Sequence, residues 1–234
     1  MQIAIVGAGV VGLTAGIRLL ERGHSVTIYA ERRTPDTTSD RAAAAFTPPR
    51  GPLSERMLAW VRESLRTFEE LARTTPESGV DLALFRELAR EPLAALPAWT
   101  ADVQGFQRLT ELPAPWRDGW AAVLPRMDMT RFAPWLERRF EHELGGAFVS
   151  ARLLDLTEPF DEGFELVVHA AGLGARRLAH DDALHPVRGQ VLHVPNTLHL
   201  DTIVVDDARS GPCTYVIPFH DHVVIGPALG VLLL

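Results

Sequence analysis

Three glycines near the start of the chain carry the clearest chemical signal. They stand in the run Gly7-Ala8-Gly9-Val10-Val11-Gly12, directly after the apolar residues 3–6 and directly before Leu13, Ile17 and Leu20, which fall on one face of a helix. In a strand–turn–helix setting, Gly7 allows the tight turn. Gly9 lets the backbone approach a pyrophosphate, and Gly12 lets the helix pack closely on the strand. The phosphates would sit at the helix N-terminus, where the first amides lack intrahelical partners and the dipole is positive. Glu31 follows Gly12 by about 20 residues, just past an apolar run at 25–29, where a carboxylate accepts ribose hydroxyls. Together these residues read as a dinucleotide site. Two polar clusters invite a metal reading, one at His180, Asp181, Asp182 and His185, the other at His220-Asp221-His222. Neither has a helical HExxH register or a CxxC partner, so both read as solvated turns and no metal is expected. Cys213, the one cysteine, has no basic partner nearby in sequence and reads as a bystander.

The elements that must hold the dinucleotide are only partly adjacent. The first two strands and their helix are local, with Gly23 as the left-handed helix stop. A further strand candidate, ELVVHAA at 165–171, runs into Gly172-Leu173-Gly174 only after a long stretch of different character. A nicotinamide dehydrogenase would continue with alternating strands and helices at once. A late strand ending in Ala-Gly suits FAD, which favours FAD over NAD. The intervening stretch opens with an amphipathic helix at 54–71, carrying Leu58, Val61, Leu65, Phe68 and Leu71. Pro48, Pro49 and Pro52 precede it, and prolines 92, 97, 113 and 115 break the region after it into short pieces of a second, inserted domain.

Composition sets the outer limits. With 234 residues, 47% hydrophobic and 23% charged, the chain is long enough to bury a substantial core. Its net charge of −7 argues against nucleic acid or an anionic membrane as partner. All 23 basic residues are arginine, which excludes lysine Schiff-base chemistry. The single cysteine points to a reducing compartment, and the opening residues lack a basic leader and a cleavage signature, so a cytoplasmic location is expected. No apolar run reaches the length of a transmembrane helix.

Several stretches resemble the FAD-dependent D-amino-acid oxidase family, which includes D-aspartate oxidases. They are residues 1–49, FQRLT at 106–110, MDMTRFAPWLERR at 127–139, VVHAAGLGARRL at 167–178, HPVRGQVLHV at 185–194 and TYVIP at 214–218. The most specific is YAERRTPDTTSDRAAA, since many flavoproteins share the opening glycines and few share this later segment.

The resemblance implies an α/β fold: a doubly wound FAD-binding domain at 1–50 and 145–195, interleaved with a substrate domain at 51–144 and 196–234 built on a mainly antiparallel, incomplete sheet. It implies that Glu31 and Arg32 hold the adenosine end, and that Thr37, Thr38 and Ser39 contact pyrophosphate. Ala42, Ala43, Ala44 and Ala45 would pass the isoalloxazine edge, the backbone of Leu153 would meet adenine, and Gly172 would lie against the cofactor from the other side. Tyr215 would hold the substrate carboxylate. The implied reaction is oxidation of a D-amino acid by FAD and oxygen to an imino acid and hydrogen peroxide, with a homodimer as one allowed assembly. Family members continue for roughly another third of their length, which carries an arginine that pairs with the substrate carboxylate. A second family tyrosine, four residues before Tyr215, is Gly211 here. A catalytically silent flavin-binding relative and a nicotinamide-dependent dehydrogenase stay open as alternatives.

Overall fold

The computed structural model of the chain describes residues 1–48, 52–103, 105–187, 189–207 and 213–228. Pro49, Gly211, Pro212 and the last residues from 229 onward lie outside the described residues. In chain order the elements are β1 (Gln2–Val6), α1 (Val10–Leu20), β2 (Ser25–Ala30), β3 (Ala44–Ala45), α2 (Glu55–Thr74), β4 (Val80–Ala89), β5 (Gln107–Leu109), β6 (Asp118–Met127) and α3 (Met129–Arg138). There follow β7 (Ala147–Ser150), α4 (Glu158–Asp161), β8 (Leu166–His169), α5 (Ala175–Leu178), β9 (Leu192–Pro195), β10 (Ile203–Asp207), β11 (Cys213–Pro218) and β12 (His222–Ala228).

Two compact units result. The first comprises 1–42, 77–79 and 129–186, and the second 43–76, 80–128 and 187–234. These limits differ from those expected at 50, 144 and 195, the first two for local reasons. Ala44 and Ala45 pair antiparallel with Met127 and Arg126 of β6, so the chain leaves the first unit several residues early. The apolar face of α3, with Phe132, Ala133, Trp135 and Leu136 buried, packs beside α1, so this helix belongs to the first unit.

The first unit is a four-stranded parallel sheet in the order β7-β2-β1-β8. Ile3, Ala4, Ile5 and Val6 of the central β1 are buried, as a strand covered on both faces requires. Helix α1 ends before Gly23, whose φ of +80° is the left-handed stop expected from sequence. Tyr29 on β2 is buried against Phe164, and its hydroxyl donates to Glu162 Oε2 at 2.6 Å. Burial, reinforced by the Glu162 carboxylate, pushes its pKa from 10.0 up to about 12. A raised pKa stabilises the fold fully below pH 10.0, and that contribution fades as pH climbs towards about 12. The other of the two tyrosines, Tyr215, is also raised by burial. In a Tyr215→Phe background, which isolates Tyr29, the folded chain is therefore expected to show almost no tyrosinate absorbance at pH 10.0, where the urea-unfolded chain is half ionised. Half-ionisation at that pH in the folded chain would show that the Tyr29–Glu162 bond does not form.

The second unit is an eight-stranded mixed sheet, β3-β6-β4-β10-β11-β12-β9, with β5 also pairing β6. It is antiparallel except where β10 runs parallel to β4. The pieces between the prolines are short, as expected, with the three-residue β5 among them, but they are flanked by two long strands, β4 and β6, paired from Val80↔Met127 to Ala89↔Asp118. Prolines 92, 97, 113 and 115 fall in the connection between them, where no ladder amide is lost. Helix α2 matches its sequence reading, and Ser54 Oγ caps it by accepting from Met57 N at 3.3 Å. The core of this unit gathers around Trp120, which stacks on Phe85 and Phe106 and meets Trp99 edge-on. Among the described residues no helix is long and apolar enough to cross a membrane.

Candidate cofactor site

The turn after β1 is built as its glycines require. Gly7 sits at φ +116° and donates to Tyr29 O at 2.8 Å, which ties the turn to β2. A Cβ on Gly12 would lie 1.9 Å from the carbonyl oxygen of Gly7, so α1 rests directly on the turn. Ala8 is buried beneath it, while Val10 is half-buried and Val11 is 64% exposed. The first turn of α1 contains no acidic side chain, which leaves its positive end open to an anion.

One of the three expected hydroxyls reaches that helix end. Ser39 Oγ accepts from Val10 N at 3.0 Å, across 29 residues of chain. Thr37 turns away: its amide and hydroxyl both bond Asp40 Oδ2, at 2.8 and 2.5 Å, while Thr34 takes Asp40 Oδ1 at 2.6 Å. Thr38 is exposed in the same turn. Asp40 thus shapes the loop that carries Ser39 to α1. This role was missed in the sequence, where an Asp three residues after a Thr is a common turn and gives no hint of the helix it serves.

A cleft of about 440 Å³ opens at the C-terminal ends of β2, β7 and β8, where open parallel sheets bind ligands. Glu31, Arg152, Leu173, Gly174, Arg176, Arg177 and Asp182 line it. Glu31 is there as expected, with Oε1 lying 3.4 Å from Arg152 Nε and 3.9 Å from Arg177 Nη2. Arg32 is exposed and does not line the cleft. Leu153 is buried, and its carbonyl accepts from Arg177 Nη2 at 2.9 Å. Gly172 opens the turn after β8 at φ +53°, and a Cβ there would meet nothing within 4 Å. Arg152 and Arg177 escaped the sequence reading. The available signal was position, Arg152 just beyond β7 and Arg177 in the helix that follows β8, both where open parallel sheets bind ligands.

The remaining expected residues lie in the second unit, apart from Ala42, which is exposed at the end of the first. Ala43 and Ala45 pack on its core, and Ala44 and Ala45 form β3. Tyr215, half-buried on β11, faces Gly226 of β12, where a Cβ would come within 2.6 Å of the phenol carbon and oxygen. Gly226 is thus the space that the Tyr215 ring occupies. Of the arginines in this unit, Arg126 is committed to Asp81 and to the carbonyl of Pro218, Arg108 to Asp118, and Arg90 to Asp206. The fold also brings buried Asp128 to Asp221 and His222, with one donor atom from each within 4.8 Å of the others. His222 Nδ1 lies 2.7 Å from Asp221 Oδ1, and the ring stacks on Phe219.

Residues 2–231 match the family described as FAD dependent oxidoreductase. The chain belongs to that family. It is 36% identical over 227 residues to a D-amino-acid oxidase of Rubrobacter xylanophilus, covering 96% of this chain and 68% of the relative. It is 35% identical to human D-aspartate oxidase, covering 96% of this chain and 67% of that protein. A glycine oxidase from Geobacillus kaustophilus shares the fold, with a TM-score of 0.71 at 22% identity over 97% of this chain and 70% of that one. The chain thus spans about two thirds of the length of these relatives. As an FAD-dependent oxidoreductase it has a first unit whose features fit the family's cofactor: a helix end free of acidic side chains, a glycine turn with no room for a Cβ, and a carboxylate in a cleft at the strand ends.

Proposed function

We propose that the chain binds FAD through its first unit and oxidises a D-amino acid. The observation that carries the cofactor half is the geometry around Gly7 and Gly12, which leaves the amides at the start of α1 within reach of a pyrophosphate while Glu31 stands in the neighbouring cleft. The substrate half is supported by the relatives, a D-amino-acid oxidase and a D-aspartate oxidase at 36% and 35% identity. Ser39 and the amides of α1 would hold the phosphates, Glu31 the ribose, the backbone after β7 the adenine, and the small residues Ala42 to Ala45 the ring edge. When bound, FAD supplies a two-electron acceptor that oxygen regenerates, yielding hydrogen peroxide. The protein's part is to hold the substrate carboxylate near Tyr215 and to keep water away while the Cα–H bond breaks. The imino acid then leaves and hydrolyses to the 2-oxo acid. No side-chain base is needed.

The test is direct. The purified chain, reconstituted with FAD and desalted, should be yellow, and it should release peroxide from at least one D-amino acid in a panel of acidic, basic and neutral side chains. Flavin retained without any peroxide would identify a silent flavin-binding relative. Loss of the Tyr215 hydroxyl should act on substrate and not on cofactor. Tyr215→Phe is therefore expected to raise KM about tenfold, the worth of one hydrogen bond to a charged group, with FAD affinity unchanged. The reverse pattern, with flavin lost and KM unchanged, would assign Tyr215 to packing against Gly226 alone.

A further inference from the structure

The cleft beside Glu31 holds three guanidinium groups with different commitments. Arg176 is occupied by its own turn: Nη1 donates to the carbonyls of Asp182 and Leu184 at 3.0 and 2.7 Å, and Nη2 contacts the Asp182 carboxylate at 3.2 Å. Arg152 reaches Glu31 Oε1 from a side chain that is 63% exposed. Arg177, from α5, reaches two strand ends at once. Its Nη2 donates to Leu153 O, just beyond β7, at 2.9 Å and stands 3.9 Å from Oε1 of Glu31, just beyond β2. The first contact is a hydrogen bond, whereas the second is too long for one and acts through charge. Both cations lie towards the same carboxylate oxygen, Oε1.

We propose that Arg177 is a positioning residue for the adenosine half of the cofactor, a role that rests on the FAD reading of the first unit. It holds the backbone of Leu153 in place beside the cleft, and together with the nearer Arg152 it draws Oε1 of Glu31 to one side, which leaves Oε2 as the oxygen for a ribose hydroxyl. An exposed glutamate just past a strand has several rotamers to give up on binding. A carboxylate already turned by a neighbouring cation gives up fewer, and the difference is recovered as affinity. Arg177 need not touch the ligand to act in this way, because it works through Glu31 and Leu153.

The experiment uses the full chain and isothermal titration with three probes: FAD, ADP and 2′-deoxy-ADP. Arg177→Gln should weaken FAD and ADP by about tenfold and shrink the preference for ADP over 2′-deoxy-ADP. In a Glu31→Gln background the same substitution should cost less than about threefold, because one of the two groups it acts through has changed and only the hold on Leu153 O is left to lose. Arg177→Lys should recover part of the loss, and it keeps the cycle readable if Arg177→Gln melts early. Unchanged FAD and ADP affinities in Arg177→Gln overturn the assignment, and effects of the two substitutions that simply multiply overturn the route through Glu31. A wild-type chain that binds neither FAD nor ADP overturns the FAD reading and this inference together. One that binds both, with the variant unaffected, overturns this inference alone.

Discussion

Gly12→Ala is expected to cost about 3 kcal/mol or more, a large share of the roughly 5–15 kcal/mol that holds a domain folded. The new Cβ would lie 1.9 Å from the Gly7 carbonyl oxygen and 3.0 Å from its carbon. Neither is the movable end of a side chain, so α1 must lift from β1 or the turn must open. The expected thermal midpoint is lower by roughly 10 °C for a chain of this size. Gly9→Ala is the informative contrast. Its Cβ would meet only Ser39 Oγ, at 3.1 Å, and that hydroxyl can rotate. Gly9→Ala should therefore melt within a few degrees of wild type yet bind FAD more weakly, because the methyl group stands where the backbone must approach phosphate. Equal melting of Gly12→Ala and wild type would refute the packing of α1 on the turn.

Asp118→Asn is the second substitution with a large expected effect, and it lies in the other unit. The Asp118 carboxylate is buried and accepts four bonds: Leu93 N at 2.9 Å, Gly119 N at 2.8 Å, and Arg108 Nε and Nη2 at 3.1 and 2.6 Å. The Arg108 guanidinium, helped by the two amides, holds its pKa well below the usual carboxylate range. An asparagine side chain turns a donor towards donors, so at least one buried amide loses its partner. The loss should be about 3 kcal/mol, near the low end for a broken buried pair because Arg108 is half-exposed and can turn to water. The pH dependence has a definite sign. A lowered folded pKa stabilises the fold above the unfolded value of 3.8, and that contribution is lost as pH falls below it. Urea midpoints of wild type and Asp118→Asn should therefore differ most near neutrality and converge in acid. A gap that stays constant down to about pH 3 would show that the carboxylate is not the source of the effect.

What the sequence made legible was local. The glycine turn, α1, β2 and Glu31 follow from residues within one βαβ half, and each occupies its expected place. The Ser54 cap and the apolar stripe of α2 are equally local. The contacts that complete the site are not. Ser39 meets Val10 across 29 residues, and Arg177 meets Leu153 across 24. No spacing rule links such pairs. The long strand β4 was hidden for a different reason: Leu82 and Leu84 are apolar but exposed, so VDLALFRELA shows no clean alternation. Strand β6 is masked by burial on both faces along most of its length, which leaves a continuous apolar run. Asp128 looks like an ordinary residue before a helix until β12 brings Asp221 and His222 beside it.

The order of strands in the first unit also governs how the chain must be made. β1 is flanked by β2, which directly follows α1, and by β8, with Ile3 paired to Leu166. On a ribosome, the apolar N-terminal strand therefore emerges long before its second neighbour has been synthesised. Closing so long a loop is slow compared with forming α1 or the β1–β2 pair. Until then, one edge of β1 offers unpaired backbone groups and buried-type side chains to chaperones, proteases or other nascent chains. The yield of soluble protein should accordingly respond more to translation rate and chaperone supply than to changes in the late-folding surface loops.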